Sequence, residues 1–189
     1  MIYFTADHHF YHEKMATKWR DFDSYEHMHE TLVDNWNSVV GPGDIVYHLG
    51  DFAFTEHNRE QEKVEKLMHR LNGCKFLIPG NHDRDAVTRA KGWTKVTPLH
   101  EIKVDLGGAR KQKITLCHYS LRTWNALQHG SWMLFGHSHN NLDVSECGKT
   151  VDVGVDAWNW TPVSVEQIAE FMATKEVVLS GDHHVTRKA

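Results

Sequence analysis

The sequence predicts a layered α/β sandwich. Three observations carry that prediction. Short apolar runs of about five residues, the usual strand length, recur along the chain. Amphipathic stretches with helical periodicity separate them. With 40% hydrophobic and 11% aromatic residues, including 7 Trp, the 189-residue chain can bury a proper core, which excludes both disorder and a disulfide-stapled miniprotein.

The expected strands are Ile2 to Ala6, Asp44 to Leu49, Lys75 to Pro79, His100 to Asp105, Lys113 to Cys117, Trp132 to Phe135, Thr150 to Val155 and Glu176 to Leu179. Between the first three, Met28, Leu32, Val33, Trp36, Val39 and Val40 share one helical face, and Val64, Leu67, Met68 and Leu71 share another. A third helix is announced by Ser164 with Gln167 three positions on, the capping-box pattern, and turns Val165, Ile168, Ala169 and Met172 inward. No internal repeat, low-complexity segment or Pro/Gly/Ser linker interrupts the chain. Residues 1–189 therefore read as one domain, with 181–189 as a frayed tail.

The net charge of -4 shows no polyanion-binding surface, so nucleic acid enters only as a locally held substrate. The chain contains no apolar run of about eighteen residues, and MIYFTADHHF lacks the basic flank and long apolar region of a secretory signal. The expected location is the cytoplasm, away from membranes; oligomeric state is not legible. Cys74, Cys117 and Cys147 are odd in number and widely spaced, with no CxxC, so neither a disulfide framework nor a zinc knuckle is expected, and they read as buried thiols. Histidine is the unusual residue: 16 of them outnumber the 13 Gly without any polyhistidine tract.

Polar residues gather where the strands end. Asp7-His8-His9 follows the first strand, Gly50-Asp51 the second, Gly80-Asn81-His82-Asp83 the third, His118 the fifth and Gly136-His137-Ser138-His139 the sixth. In an open α/β sheet the crevice outside the carboxyl ends of the strands binds ligands, so residues distant in sequence can converge there. Any one of them alone reads as a turn residue or cap. Five strand ends all carrying Asp, Asn or His do not read as coincidence. Carboxylate, imidazole and amide oxygen without thiolate suit Mn, Fe, Zn, Co or Ni better than Mg or Ca. Asp7, His9, Asp51, Asn81, His118, His137 and His139 are too many ligands for one ion that keeps a water, and suit two ions sharing a carboxylate.

The order D-x-H, G-D, G-N-H-D, H, G-H-x-H resembles the calcineurin-like metallophosphoesterase superfamily over Asp7 to His139. YHLGDFAF and VGVDAWNWTPVS are similar to its small single-domain bacterial and phage phosphoesterases. The resemblance implies a four-layer αββα sandwich and two divalent transition-metal ions, with Mn favoured. Asp7, His9 and His139 would hold one ion, Asn81, His118 and His137 the other, and Asp51 would bridge them. A shared water, acidified to hydroxide near neutral pH, would be the nucleophile. By the same resemblance His82 would protonate the leaving oxygen as general acid, a task that suits an imidazole at neutral pH. Asp83 would either orient His82 or cap the helix that begins there.

One departure is informative. The protein serine/threonine phosphatases of that superfamily carry an Asp and an Arg shortly after G-D, whereas Asp51 here is followed by Phe52, Ala53 and Phe54. That argues against a phosphoprotein phosphatase and leaves His12, Arg84 and Arg122 as candidates for gripping phosphate. His8 would point away from its ligand neighbours, His183-His184 belongs to the polar tail, and Trp124, Trp158 and Trp160 read as core before they read as base-stacking rims. The expected function is a phosphodiesterase acting on a small phosphoester or nucleotide, cyclic nucleotides included. The alternatives are a phosphomonoesterase, a nucleotide pyrophosphatase, a non-catalytic interaction module on the same fold, or ions that serve structure alone.

Overall fold

The computed structural model describes residues 1–145 and 147–179. Along these the elements run β1 (Ile2–Thr5), α1 (Tyr25–Val39), β2 (Ile45–His48), α2 (Gln61–Arg70), β3 (Cys74–Leu77), α3 (Asp85–Thr88), β4 (Trp93–Val96), β5 (Leu99–Val104), β6 (Gln112–Cys117), β7 (Trp132–Phe135), β8 (Thr150–Asp152), β9 (Val163–Ser164) and α4 (Val165–Ala173). A π-helical turn, Met15–Trp19, precedes α1.

The chain is an α/β sandwich of two sheets flanked by helices. One sheet has the order β4-β3-β2-β1-β9, with β1 to β4 parallel and β9 antiparallel to β1. The other has the order β5-β6-β7-β8, with β6, β7 and β8 parallel and β5 antiparallel to β6. Alternation along the first sheet's strands separates two cores. Tyr3, Val46 and Leu77 face α1 and α2, where Met28, Leu32, Trp36, Val64 and Leu67 pack on them. Phe4, Tyr47 and Ile78 face the second sheet and meet Ile114, Leu116, Leu134 and Val151. Helix α4 adds Val165, Ile168 and Met172 to this inter-sheet core, so helices lie on both sides of the first sheet.

The capping box expected at Ser164 is formed: its hydroxyl accepts from the Gln167 N–H, and the Gln167 side chain returns to the Ser164 N–H. Ser24 caps α1 in the same manner through the His27 N–H. The structure departs from expectation at three places. Glu176 to Leu179 forms no strand; it runs beside Gly148 with Val177 and Leu179 exposed and no ladder partner among the described residues. Two short strands carry no clear sequence signal, β4 because its pattern lacks apolar alternation, and β9 because it is two residues long. The cysteines are free but not buried: Cys74 and Cys147 are exposed and Cys117 is half-buried. The tail 181–189, with His183 and His184, lies outside the described residues. Among the described residues no helix is long and apolar enough to cross a membrane.

Candidate metal centre

Parallel pairing sends the carboxyl ends of β1, β2 and β3 to one edge of the first sheet, and the pairing of β1 with β2 continues beyond the strands. The Asp7 N–H donates to Gly50 O (2.9 Å), His9 N–H to Asp51 O (2.9 Å) and Phe10 N–H to Phe52 O (3.0 Å). The two loops therefore leave the sheet side by side and present Asp7, His9 and Asp51 together. A bridge between Ala6 and Gly154 brings the end of β8 against the end of β1. From the end of β7, the His137 N–H donates to both Asp7 carboxylate oxygens, at 3.1 and 2.9 Å.

Six of the expected ligands assemble as two trios able to hold metal ions, Asp7 with His9 and His139, and Asp51 with His118 and His137; within each, the ligand atoms lie within 4.8 Å of one another. Asp51 stands between them, its Oδ2 3.6 Å from His9 Nε2 and 3.6 Å from His118 Nε2. Asn81 Oδ1 lies 3.2 Å from His118 Nε2 and joins the second trio. Asp7, His9, Asp51, His137 and His139 all have positive φ, between 47° and 68°. Residues other than Gly enter that region sparingly, and clusters of them mark functional loops.

The donor chemistry fits cations. His9 Nε2 and His139 Nε2 are 3.3 Å apart, and two imidazole nitrogens bound to one ion at about 2.1 Å are separated by roughly 3.0 to 3.4 Å. Burial, reinforced by the charges of Asp152, Asp51 and Asp156, pushes the Asp7 carboxyl well up against the pull of the His137 N–H. Burial pushes His9 well below the usual imidazole range, with Arg20 and three neighbouring imidazoles adding to it. His118 is also lowered by burial, although the Asp51 charge opposes this. Clustered buried carboxylates raise one another, and neutral imidazoles offer lone pairs; a divalent cation reverses the first cost and uses the second.

The remaining candidates separate clearly. The His82 ring is half-buried, 5.3 Å from the His9 ring and outside both trios, and its backbone N–H donates to Asp51 Oδ1 at 2.9 Å. His12 stacks on Phe54 at 4.6 Å and lies 5.7 Å from the His9 ring, so it borders the centre. Arg84 is exposed and turned to Glu56 O at 3.2 Å, and Arg122 is exposed with no hydrogen bond or ion pair among the described residues; neither is drawn to the centre. Asp83 neither reaches His82 nor caps α3, whose cap position is Arg84. Its carboxylate accepts the N–H groups of Asp51 (2.8 Å), Phe52 (2.8 Å) and Gly80 (2.9 Å), binding the loop after β2 to the loop after β3. Burial pushes it up to about 7 despite those donors.

His8 is fully buried, its Nδ1 2.9 Å from His48 Nε2 and its ring stacked on Phe10, so it supports the centre from within the core. Phe52 is core as well, edge-on to Trp93. Trp124, Trp158 and Trp160 are half-buried. The first two donate their indole N–H to Ser131 O and Asp152 O, and Trp160 packs on the helix-side core.

Sequence reading missed three residues here. Asp156 Oδ2 lies 2.8 Å from His139 Nδ1, and Arg20 grips both Asp156 oxygens. Tyr119, exposed beside His118, lays its ring 4.8 Å from that of His137. Asp156 directly follows the expected strand Thr150 to Val155, so the strand-end rule points to it, although β8 itself ends at Asp152; nothing in the sequence marks Arg20.

The glycines set the close approach of these loops. Gly50 has φ +94°, and a Cβ there would lie 2.5 Å from Gly80 N. A Cβ on Gly80 would collide with Asp51 Oδ1 and come within 2.7 Å of Asp51 N and His118 Cε1. Gly80→Ala is therefore expected to displace Asp51, lowering metal content with about 1 to 3 kcal/mol lost from overpacking. Elemental analysis beside thermal unfolding checks this; wild-type metal content would show that the loops yield.

No family model matches the chain. The solved structure of AQ665, a protein of unknown function from Aquifex aeolicus, shares the fold with a TM-score of 0.69, covering 90% of this chain and 98% of that one at 23% identity. The Gene 66 protein of Mycobacterium phage D29 is 28% identical over 181 residues, covering 84% of this chain and 89% of its own. The uncharacterized protein MJ1445 of Methanocaldococcus jannaschii is 30% identical over 187 residues, 94% of either chain, and this chain belongs to the same family as that protein.

Proposed function

We propose that the protein is a dinuclear metal-dependent phosphoesterase acting on small phosphodiesters of nucleotide or cyclic-nucleotide type. The observation that carries the reading is Asp51 Oδ2, equidistant at 3.6 Å from the imidazoles of two separate trios. One carboxylate between two cation positions offsets their mutual repulsion and suits the separation of about 3.5 to 4 Å typical of two-metal sites. Bound ions, with Mn favoured, would supply charge stabilisation for the phosphate and would lower the pKa of a water towards neutral. Asp7, His9 and His139 would hold one ion, and Asn81, His118 and His137 the other. His82, free of both trios, donates a proton to the leaving oxygen, and His12 borders the phosphate.

The diester preference rests on charge. A monoester dianion has one more charge and one more terminal oxygen than a diester, and its specialists supply cationic donors to them. Arg84 is engaged with Glu56 O, Arg122 is exposed, and Arg20 is committed to Asp156. The second ester group would lie against Phe54, since Phe52 is withdrawn into the core. With Mn supplied, kcat/KM is expected to be higher for bis(p-nitrophenyl) phosphate or a cyclic nucleotide than for p-nitrophenyl phosphate. A preference for the monoester under matched conditions would replace this reading with a phosphomonoesterase. A nucleotide pyrophosphatase would favour dinucleoside polyphosphates, and a non-catalytic module would turn over none of them.

A further inference from the structure

Arg20 has no part in that chemistry, yet it is one of the most heavily engaged polar side chains near the centre. It is 8% exposed and directly follows the π-helical turn Met15–Trp19, with its backbone N–H donating to Met15 O at 3.1 Å. Its Nε and Nη2 grip Asp156 Oδ1 and Oδ2 at 2.9 and 2.7 Å. Its Nη1 donates to His8 O at 3.1 Å, and Nη2 also donates to Asp7 O. The Trp160 ring lies 5.2 Å from the guanidinium carbon.

We infer that Arg20 is a positioning residue for one of the two cation positions, the trio of Asp7, His9 and His139, acting through Asp156 on His139 and through two backbone carbonyls on the loop that carries Asp7 and His9. This rests on the metal-binding reading of the site. Asp156 Oδ2 is 2.8 Å from His139 Nδ1. A carboxylate there keeps the proton on Nδ1 and leaves the Nε2 lone pair facing His9 and the cation position. Asp156 can hold the ring only if it is itself held, and the two-point grip of a guanidinium fixes both of its oxygens. The same guanidinium binds the carbonyls of Asp7 and His8 while Asp7 and His9 sit at φ 59° and 49°, a backbone that relaxes unless its surroundings enforce it.

The effect is one-sided. The second trio has its own anchor, His118 Nδ1 at 2.7 Å from Leu49 O, and Arg20 donates no hydrogen bond to it. Lysine cannot replace Arg20, because an ammonium has no planar fork to serve a carboxylate and two carbonyls in fixed directions.

The test is calorimetric titration of the metal-stripped full chain with Mn²⁺, comparing wild type, R20M, R20K and D156N, with thermal unfolding of each metal-free protein. One of two binding events is expected to weaken about 10- to 100-fold in all three variants, the usual effect of losing a partner behind a metal ligand. The other event should stay unchanged, and R20M/D156N should be no weaker than the worse single variant. Loss of both events together, loss of neither, or wild-type binding by R20K would overturn the assignment. Should R20M fail to fold, R20K and D156N carry the same comparison. Uptake of a single ion by wild type would overturn the dinuclear reading while leaving the Arg20 comparison intact on that ion; no uptake would overturn both.

Discussion

Asp51→Asn is expected to damage both cation positions at once and to lower turnover about a hundredfold or more. The substitution preserves shape, and an amide oxygen at Oδ1 can still accept the His82 N–H that lies 2.9 Å away. What changes is Oδ2, which faces His9 Nε2 and His118 Nε2 at 3.6 Å each. An amide presents either a neutral oxygen there or an N–H whose hydrogens point at the cations, and neither offsets the repulsion between two divalent ions. Elemental analysis should find at least one ion lost, beside a fold that unfolds cooperatively. Wild-type metal content with near wild-type turnover of a diester would remove Asp51 from the bridging position.

His82→Ala should separate catalysis from metal binding. The tie between this residue and the centre is its backbone N–H on Asp51, which alanine retains, and its ring belongs to neither trio. Both ions are therefore expected to stay. If the ring protonates the leaving oxygen, rates on alkyl esters should fall about 10² to 10⁴, the usual worth of a positioned general acid. A p-nitrophenolate leaves without a proton, so its esters should slow much less. Equal slowing of both ester types would make His82 a phosphate-positioning group, and loss of metal would make it a ligand.

The candidate site was legible because its residues sit where local pattern is strongest. An apolar run ends and the polar residue beyond it is carried to the sheet edge, directly at Asp7 and His118 and after a Gly at Asp51, Asn81 and His137. Asp83 takes its role from tertiary contacts alone. Its type and place are compatible with orienting His82 or capping a helix, but the carboxylate is instead engaged by three backbone N–H groups from two loops. Phe52 and Phe54 are alike in sequence and opposite in fate, one sealed in the core and one stacked on His12.

The sequence by itself determined the layered α/β class, most strands and helices, and the set of Asp, Asn and His residues at the strand ends, since these follow from side-chain periodicity and residue chemistry within short windows. Tertiary structure alone decided which of them share a trio, that five of the six take left-handed backbone, and that Arg20 reaches Asp156 across 136 positions of chain. Periodicity reports which way a side chain faces over a few residues. Hydrogen-bond partners so far apart are set by how loops from different strands pass one another, and that path is fixed only when the two sheets close.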